Sequence, residues 1–351
     1  VNETKLSELL FTCVGEAPLL VYGKTGRLSQ NIPFRGDKSR QVDYLWDKFS
    51  STISSVYFDS PQLDLYRERI ARREGAQLLR ARWYGKRPTS DEVVFLELKT
   101  HHESWVYDKS VKERATVLEK DMAPFFHAKK LWNEDQARHV LLRATSTLTG
   151  DKLAKAIDLL LRMHSLVIKH GLRPCMRSTY QRLAFQSSKN NSLRLTLDRQ
   201  VTVSDESSYK HGDWCVKDET VCFSPGQSRV IPFLVLEIKL GEGQSTSALD
   251  ELIDKGVILD SSKFSKFLTG AATFNTNHVA TLPYWAEHPA FEDFFQVKSN
   301  SGKGPNDSHH TSDTAGDSQL NWSPFKQGSL RLTCSQTTTS TSKSDSQSSR
   351  W

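Results

Sequence analysis

Arginine side chains recur at alternate positions in several runs that are rich in β-branched and aromatic residues. In LLRARWYG, which begins at Leu78, Arg80 and Arg82 share one face of a predicted strand, because residues two apart in a strand point to the same side. The planar guanidinium group of arginine donates paired hydrogen bonds to phosphate oxygens. The alternation therefore predicts a site that binds phosphate groups.

Four further runs repeat this division into one polar and one apolar face. They are VVFLELKTH from Val93, STYQRLAFQ from Ser178, SLRLTLDRQVTV from Ser192 and PFLVLEIKL from Pro232. Their polar positions are Glu97 and Lys99, Tyr180 and Arg182, Arg194 with Thr196 and Asp198, and Glu237 and Lys239. Together with SSVYFDS from Ser54, these runs predict a mainly antiparallel sheet.

A single strand of this kind is most often half-buried, with its polar face in solvent. As a set, however, the strands favour arginine over the mixed polar residues of an ordinary solvated face. Closing them into a barrel turns the polar faces inward, so the sequence predicts an α+β fold with an antiparallel β-barrel tunnel and flanking helices. A buried cation without a partner is costly, and such a tunnel is expected to hold a polyanionic ligand.

Two carboxylates interrupt the cationic faces. Glu97 and Glu237 are either internal ion-pair partners or ligands for a divalent cation that bridges phosphate oxygens. A buried carboxylate needs one partner or the other. For Glu237 the residue type leaves both interpretations open.

Two more clusters add cations outside these runs. KSVKER contains Lys112 and Arg114, and a solvated turn is a strong alternative there. SSKFSKFLTG places Lys263 and Lys266 one helical turn apart. If Ser262 caps a short helix at this point, the free N–H groups of its first turn also favour a phosphate group.

Composition limits the class of partner. The 351 residues include 47 Lys and Arg against 41 Asp and Glu, and the net charge of +6 favours anionic partners without choosing among them. The cations alternate along strands instead of forming an exposed stripe with stacking aromatics, so no nucleic-acid partner is expected. The five cysteines form no CxxC pair, which indicates a reduced environment. No apolar run approaches the roughly 20 residues of a membrane-spanning helix.

Segments with helical periodicity are found between the predicted strands and beside them. Apolar spacing from Asp151 to His170, followed by Gly171, predicts an amphipathic helix with Asp151 as its cap. Further helices are expected over 2–11, 124–148 and 246–255.

Composition also divides the chain into two parts. Residues 1–295 contain all of these elements and are expected to form one tunnel domain. Residues 296–351 are rich in Ser and Thr and are expected to be a disordered tail. Because the first residue is Val1 and no signal-sequence pattern follows it, we expect a piece of a longer protein.

Six motifs in this order resemble the catalytic domain of the vacuolar transporter chaperone family, the polyphosphate polymerases of the triphosphate tunnel metalloenzyme superfamily. The resemblance covers most of residues 1–295. It rests on SSVYFDSPQLDLYRERIARREGAQLLRARWYG, LELKTHHESWVYDKSVKER, RPCMRSTYQRLAFQ, LRLTLDRQVTV, VLEIKL and SKFSKFLTG. The related triphosphatases begin with an ExExK strand, which is not found near Val1 and argues against that branch.

The resemblance implies an enzyme that transfers the γ-phosphoryl group of ATP onto a growing inorganic polyphosphate chain and releases ADP. It implies Mn²⁺ as the favoured metal, with Mg²⁺ as an alternative. The catalytic cations implied are Arg80, Arg82, Lys99, Lys112, Arg182, Arg194 and Lys266. The substrate-binding residues implied are Tyr180, Lys239, Ser265 and Lys263, and the metal ligand is Glu237.

The same resemblance implies partners and a location. The full-length protein is expected in a membrane-bound complex with other subunits, at the cytosolic face of the vacuole or acidocalcisome membrane, while this piece itself is soluble and has no membrane span. Two alternatives stay open. One is hydrolysis of triphosphate or polyphosphate in the same tunnel, and the other is a non-catalytic accessory subunit that binds polyphosphate or inositol phosphates.

Overall fold

The structure, a computed structural model, describes Leu9 and residues 19–23, 26–30, 38–102, 110–186, 193–240, 247–258 and 264–295. The helix predicted over 2–11, apart from Leu9, and the tail predicted over 296–351 lie outside the described residues. Ser262 and Lys263 lie outside them as well.

The described strands form one antiparallel sheet. They are β1 (Leu19–Gly23), β2 (Gly26–Gln30), β3 (Ser51–Asp59), β4 (Gln77–Tyr84), β5 (Val93–Thr100), β6 (Val111–Leu118), β7 (Arg173–Gln186), β8 (Leu193–Asp205), β9 (Ser228–Val230) and β10 (Val235–Leu240). The main path runs β10–β8–β7–β3–β4–β5–β6, while β1 pairs with β2 and β7, and β9 pairs with β8. Each of these pairings is antiparallel, which confirms the prediction.

Helices flank this sheet. They are α1 (Lys38–Phe49), α2 (Asp64–Ile70), α3 (Glu119–His127), α4 (Glu134–Ala144), α5 (Gly150–His170), α6 (Glu219–Cys222), α7 (Ser247–Asp254), α8 (Lys266–Phe274) and α9 (Glu292–Phe295), with 3-10 turns at Tyr284–Glu287 and Pro289–Phe291. The helix predicted over 246–255 is confirmed as α7. Across the described ranges, no helix combines the length and the apolar character needed to cross a bilayer.

The two faces of β4 separate the core from the site. Leu79 and Ala81 are fully buried and pack with Trp83 in a hydrophobic cluster that includes residues of α3, α4 and α5. Arg80 and Arg82 take the alternate positions, opposite Tyr57 and Ser55 of β3. The predicted alternation therefore places the arginines on the face that turns away from this core.

Helix α5 agrees closely with its prediction. It begins at Gly150 and ends at His170, and Gly171 follows in the left-handed conformation, with φ 56°. The Gly171 N–H donates to the Val167 carbonyl, which satisfies one carbonyl of the last turn. The predicted cap was wrong: Thr149 occupies the N-cap position, and Asp151 lies in the first turn.

The helix predicted over 124–148 is two helices. α3 ends at His127, and α4 begins at Glu134. Asn133 and Gln136 form a capping box, in which the Asn133 side chain accepts from the Gln136 N–H at 2.9 Å and the Gln136 side chain accepts from the Asn133 N–H at 3.0 Å. The prediction of one helix was wrong because this reciprocal pair starts a new helix.

The α+β fold with an antiparallel sheet and flanking helices is confirmed, but strand pairing does not close the sheet within the described ranges. At one edge β6 pairs with β5, and at the other edge β10 pairs with β8. Side chains of 264–268 and 281–287 line the enclosed space together with the strands. The sequence predicted that the strands alone enclose this space as a closed barrel. In the structure, segments that pack against the sheet contribute to the enclosure.

Replacing Gly171 with alanine tests how α5 ends. No atom lies within 4 Å of the position that a Cβ would take, so the cost is conformational and not steric. We expect Gly171→Ala to lower the free energy of unfolding by about 1 kcal/mol. Urea unfolding measures the change, with Lys155→Ala on the exposed face of the same helix as the control. An unchanged midpoint for Gly171→Ala contradicts this account of the helix end.

Candidate functional site

The polar faces of the strands converge on a cavity of about 820 Å³. Every strand on the main path, from β10 to β6, contributes to its wall, so the sheet curls around the cavity. All the site residues predicted from the sequence line it except Lys263, which lies outside the described residues. Those that line it are Arg80, Arg82, Lys99, Lys112, Tyr180, Arg182, Arg194, Glu237, Lys239, Ser265 and Lys266.

Glu97 is the carboxylate that pairs with the cations of β4 and β6 in this wall. Its side chain is fully buried. Arg80 donates to Oε2 from Nε at 2.8 Å and from Nη2 at 2.5 Å, and Arg114 donates to Oε1 from Nε at 2.9 Å. Lys112 and Arg82 lie farther away, with nitrogen–oxygen distances of 3.7 and 3.8 Å. Between the two interpretations of Glu97, the structure supports the internal ion-pair partner.

These cations also determine the ionisation of Glu97. Burial by itself opposes a charged carboxylate, but the nearby charges of Arg80, Arg82 and Lys112 outweigh it and hold the pKa of Glu97 well below its usual range. Glu97 is therefore an anion that neutralises part of the cationic wall.

Asp198 is the ion-pair partner of a second group of cations, Arg182 and Lys266. Arg182 donates from Nε to Oδ1 at 2.5 Å and from Nη2 to Oδ2 at 2.8 Å, and Lys266 Nζ donates to Oδ2 at 2.7 Å. Both cations lie over the ring of Tyr180, at 5.2 and 4.7 Å from its centre. Although burial opposes ionisation, these charges lower the pKa of the Asp198 carboxyl. The sequence placed Asp198 on the polar face of its strand but assigned it no role.

The Lys99 amine lies among like charges, although the carboxylate of Glu237 acts in the opposite direction. Strand pairing places Lys99 directly opposite Lys112, and two like charges at facing positions repel. Within the described ranges no carboxylate forms an ion pair with the Lys99 amine. Repulsion from Arg80, followed by burial, holds the pKa of Lys99 well below its usual range. A negatively charged ligand at this point would offset the repulsion and favour the charged form of the amine.

Glu237 differs from the two buried carboxylates because it remains accessible. Its side chain is 49% exposed, with Lys239 Nζ at 3.4 Å and Arg182 Nη2 at 4.0 Å. Burial opposes its ionisation, yet Lys239, Arg182 and Lys99 lower the pKa of Glu237 to about 2. The carboxylate is charged at neutral pH and faces the cavity.

This environment fits a divalent cation that is shared with phosphate. Among the described residues, no three His, Cys, Asp or Glu side chains are grouped to hold a metal by themselves. Mg²⁺ and similar ions are commonly held by one or two carboxylates together with substrate phosphates and water. Glu237 is able to supply such a carboxylate, whereas Glu97 and Asp198 are occupied by arginine and lysine.

Several residues of the wall were missed by the sequence analysis. Tyr57 lines the cavity and accepts a hydrogen bond from Arg80 Nη1 at 3.1 Å, and Arg69, Arg72 and Tyr84 line it as well. The spacing of three between Arg69 and Arg72, at the end of a helix, is a signal that could have found them. Tyr57 and Tyr84 carried no such signal, because aromatic residues are common in any strand.

The helix start expected near Ser262 is at a different serine. Helix α8 begins at Lys266, and Ser265 is its N-cap residue, whose Oγ accepts from the Leu268 N–H at 3.3 Å. The predicted cap was therefore wrong. Because Ser265 and Lys266 both line the cavity, the start of α8 faces the same space as the cationic strands.

Fold and site together define an antiparallel α+β domain that is built around a cationic cavity with an accessible carboxylate at Glu237. The family model of the VTC domain matches residues 1–275. The chain belongs to this family, which confirms the resemblance predicted from its motifs.

Named relatives share this domain. "Vacuolar transporter chaperone complex subunit 4" of Schizosaccharomyces pombe is 32% identical over 273 residues, which are 72% of this chain and 37% of that protein. Subunit 4 of Trypanosoma brucei brucei is 30% identical over 67% of this chain and 30% of its own length. Subunit 2 of Saccharomyces cerevisiae is 24% identical over 68% of this chain and 33% of its own length. The chain thus spans about a third of the length of these relatives.

One solved structure also matches. It is a putative adenylyl cyclase from Hippeastrum, described as having a dominant triphosphatase activity. The match covers 75% of this chain and 95% of the other, at 15% identity and a TM-score of 0.32.

Glu97 and Glu237 are expected to differ in how much they contribute to the free energy of unfolding. Glu97→Gln leaves buried cations without their counter-charge, and we expect it to lower the free energy of unfolding by about 3 kcal/mol. Glu237→Gln changes an accessible group and is expected to lower it by less than about 1 kcal/mol. Chemical unfolding of both variants at pH 7 makes the comparison. Equal losses in the two variants contradict the distinction between them.

The lowered pKa of Asp198 gives a pH dependence with a definite sign. Because the folded pKa lies below the unfolded value, the stabilisation is complete above about pH 5 and is lost as the pH falls through the folded pKa. We therefore expect wild-type to be more stable than Asp198→Asn at pH 7, and the difference to shrink below about pH 4. Urea unfolding of both proteins from pH 7 to pH 3 measures it. A difference that stays constant over this range rules out the proposed ion pairing.

Proposed function

We propose that this chain is a polyphosphate polymerase, which transfers the γ-phosphoryl group of ATP onto the end of an inorganic polyphosphate chain and releases ADP. The observation that carries the proposal is the excess of Arg and Lys over Glu side chains in the lining of the cavity, where Lys99 lies directly opposite Lys112. A phosphate chain supplies the missing negative charge along the wall. Similarity to proteins named as subunit 4 of the vacuolar transporter chaperone complex supports the same proposal.

The two groups of cations suit two phosphate-bearing reactants. One group is gathered by Glu97 and includes Arg80, and the other is gathered by Asp198 and includes Arg182 and Lys266. An arginine has five N–H donors, so pairing with a carboxylate leaves donors for phosphate oxygens. In the proposed reaction these groups hold the ATP triphosphate and the end of the polymer in line with each other.

The chemistry then needs alignment and charge neutralisation. A terminal oxygen of the polymer forms a new bond to the γ-phosphorus, and the bond from that phosphorus to the β,γ-bridging oxygen breaks, so ADP leaves with the electron pair. Negative charge spreads over the equatorial oxygens in the transition state. Fixed cations such as Arg80, Arg82 and Lys99 stabilise that charge without having to reorganise.

Glu237 is the residue that we propose for the divalent cation, Mn²⁺ or Mg²⁺. When bound, such an ion neutralises phosphate oxygens and polarises the transferred group. Glu237 is suited to hold it because its carboxylate is ionised and accessible in the cavity. The role of Lys239 beside it is to balance the carboxylate when no ion is present.

An assay with ATP and Mn²⁺ separates this function from its alternatives. The purified chain is incubated with ATP labelled in the γ-phosphate, and the products are separated by size. Labelled polymer is the expected result. Labelled inorganic phosphate without polymer indicates hydrolysis instead, and unchanged ATP indicates an accessory, phosphate-binding subunit. Either of these results overturns the proposal.

Two variants and a matched control locate the activity in the cavity. Glu237→Gln is expected to lower polymer formation at least about a hundredfold because the metal loses its ligand, and Arg80→Ala about as much because a charge on the triphosphate is left unpaired. Arg138→Ala, which removes an exposed arginine of α4 outside the cavity, is expected to leave the rate unchanged. Full activity in Glu237→Gln refutes its assignment as the metal ligand.

We also propose that the protein works with other subunits, at the cytosolic face of a vacuole or acidocalcisome membrane. The relatives are named as subunits of a vacuolar complex, and this chain spans about a third of their length. Fractionation of cells that express the full-length protein tests the location. Recovery in the supernatant after membranes are pelleted contradicts it.

A further inference from the structure

We propose that Ser55 is a positioning residue of the phosphate site, which acts through Arg82 and does not touch the ligand itself. Arg82 lines the cavity, and its Nε donates to the Ser55 Oγ at 3.0 Å. Ser55 is fully buried. The inference deepens the proposed function and rests on the phosphate binding in it, because it states how one of the phosphate-binding cations is held in place.

Strand pairing places a hydroxyl group opposite each of the two arginines of β4. Ser55 of β3 lies directly opposite Arg82, and Tyr57 lies directly opposite Arg80. Because residues two apart in a strand share a face, the two hydroxyls form one row and the two guanidinium groups form the row beside it. Arg80 donates from Nη1 to the Tyr57 hydroxyl at 3.1 Å. Each arginine of β4 therefore has a hydroxyl acceptor on β3.

Arg82 differs from Arg80 in having no carboxylate within hydrogen-bond distance, as far as the described ranges show. Its Nη1 lies 3.8 Å from Glu97 Oε2, the oxygen that accepts from Arg80 at 2.8 and 2.5 Å. The second acceptor of Arg82 is the Tyr180 hydroxyl, which lies 3.2 Å from Nη2. A guanidinium group has five N–H donors, so two hydroxyl partners leave three donors for phosphate oxygens.

The Ser55 hydroxyl prevents Glu97 from capturing Arg82. A hydrogen bond between two charged groups is roughly twice as strong as one between neutral groups, so the carboxylate attracts the guanidinium group more strongly than a hydroxyl does. A small rotation of the Arg82 side chain would close the distance of 3.8 Å to Glu97. The hydrogen bond at Nε opposes this rotation because it ties the guanidinium group to β3. Ser55 therefore keeps Arg82 directed into the cavity.

The orientation of Arg82 matters because this residue lies between the two groups of cations. On one side is Glu97, which gathers the first group. On the other side is Tyr180, whose ring is contacted by Arg182 and Lys266 of the second group. In the proposed reaction the transferred phosphoryl group passes between reactants that these groups hold. Misplacing a group at such a point by about 1 Å costs up to roughly a hundredfold in rate.

A double-mutant cycle tests whether Ser55 acts through Arg82. Binding of inorganic tripolyphosphate to the chain is measured by calorimetry in EDTA, which requires no catalytic activity. Ser55→Ala is expected to weaken binding about tenfold, but less than about twofold when Arg82 is already replaced by alanine. Ser55→Thr keeps an acceptor oxygen and is expected to bind within about threefold of wild-type.

The neighbouring serine supplies a matched control. Ser54 is also buried, but it lies on the other face of β3, and its hydroxyl is hydrogen-bonded to the Thr179 hydroxyl at 3.2 Å. Ser54→Ala therefore removes a buried hydroxyl from the same strand without changing the surroundings of Arg82. We expect it to leave tripolyphosphate binding unchanged.

The outcomes separate this inference from the proposed function. Equal weakening by Ser55→Ala with and without Arg82 overturns the inference, and so does an equal loss in Ser54→Ala, because each indicates a general effect on the sheet. A threonine variant as weak as the alanine variant overturns it as well. If the cycle gives the expected result but ATP yields no labelled polymer, only the polymerase function is wrong. If wild-type does not bind tripolyphosphate, both proposals fail.

Discussion

The carboxylate of Glu97 is shared by cations from the two strands that flank its own, and the cavity depends on this arrangement. Arg80 and Arg114 donate to it directly, with Lys112 and Arg82 just beyond. Like charges on neighbouring strands repel, so one face of β4, β5 and β6 could not carry them without a buried anion between them. Asp198 has the same function for Arg182 and Lys266, which lie on a strand and a helix.

Glu97 and Asp198 do not neutralise all the cations of the cavity. The charges that remain determine which ligands the site favours. Lys99 has a lowered pKa because cations surround it, and Glu237 is ionised but accessible. The first feature favours a bound anion and the second favours a cation that comes with it. Lys99 is held on a strand whose other face is a packed core that includes Leu96 and Leu98. On the strand of Glu237, the other face is half-buried, and Leu236 and Ile238 pack against a hydrophobic cluster. A site mounted in this way has its charges in place before any ligand binds.

Local rules predict which side chains share a face of a strand, whereas packing decides how the strands and helices are arranged. Alternation along β4 identified Arg80 and Arg82, since residues two apart in a strand always share a face. The capping box at Asn133 is equally local, and it divides the stretch over 124–148 that was predicted as one helix. No single stretch of sequence predicts whether the sheet closes, because closure depends on the distance in space between β6 and β10.

The sequence by itself determined the family, the antiparallel strands and which side of each strand is cationic. Only the tertiary structure decided which carboxylates neutralise which cations. Glu97 and Arg80 are 17 residues apart, and Asp198 and Lys266 are 68 residues apart. Periodicity relates residues two to four positions apart, whereas these ion pairs form because strand pairing and helix packing bring distant segments together. The partners of a buried charge are therefore a property of the assembled sheet.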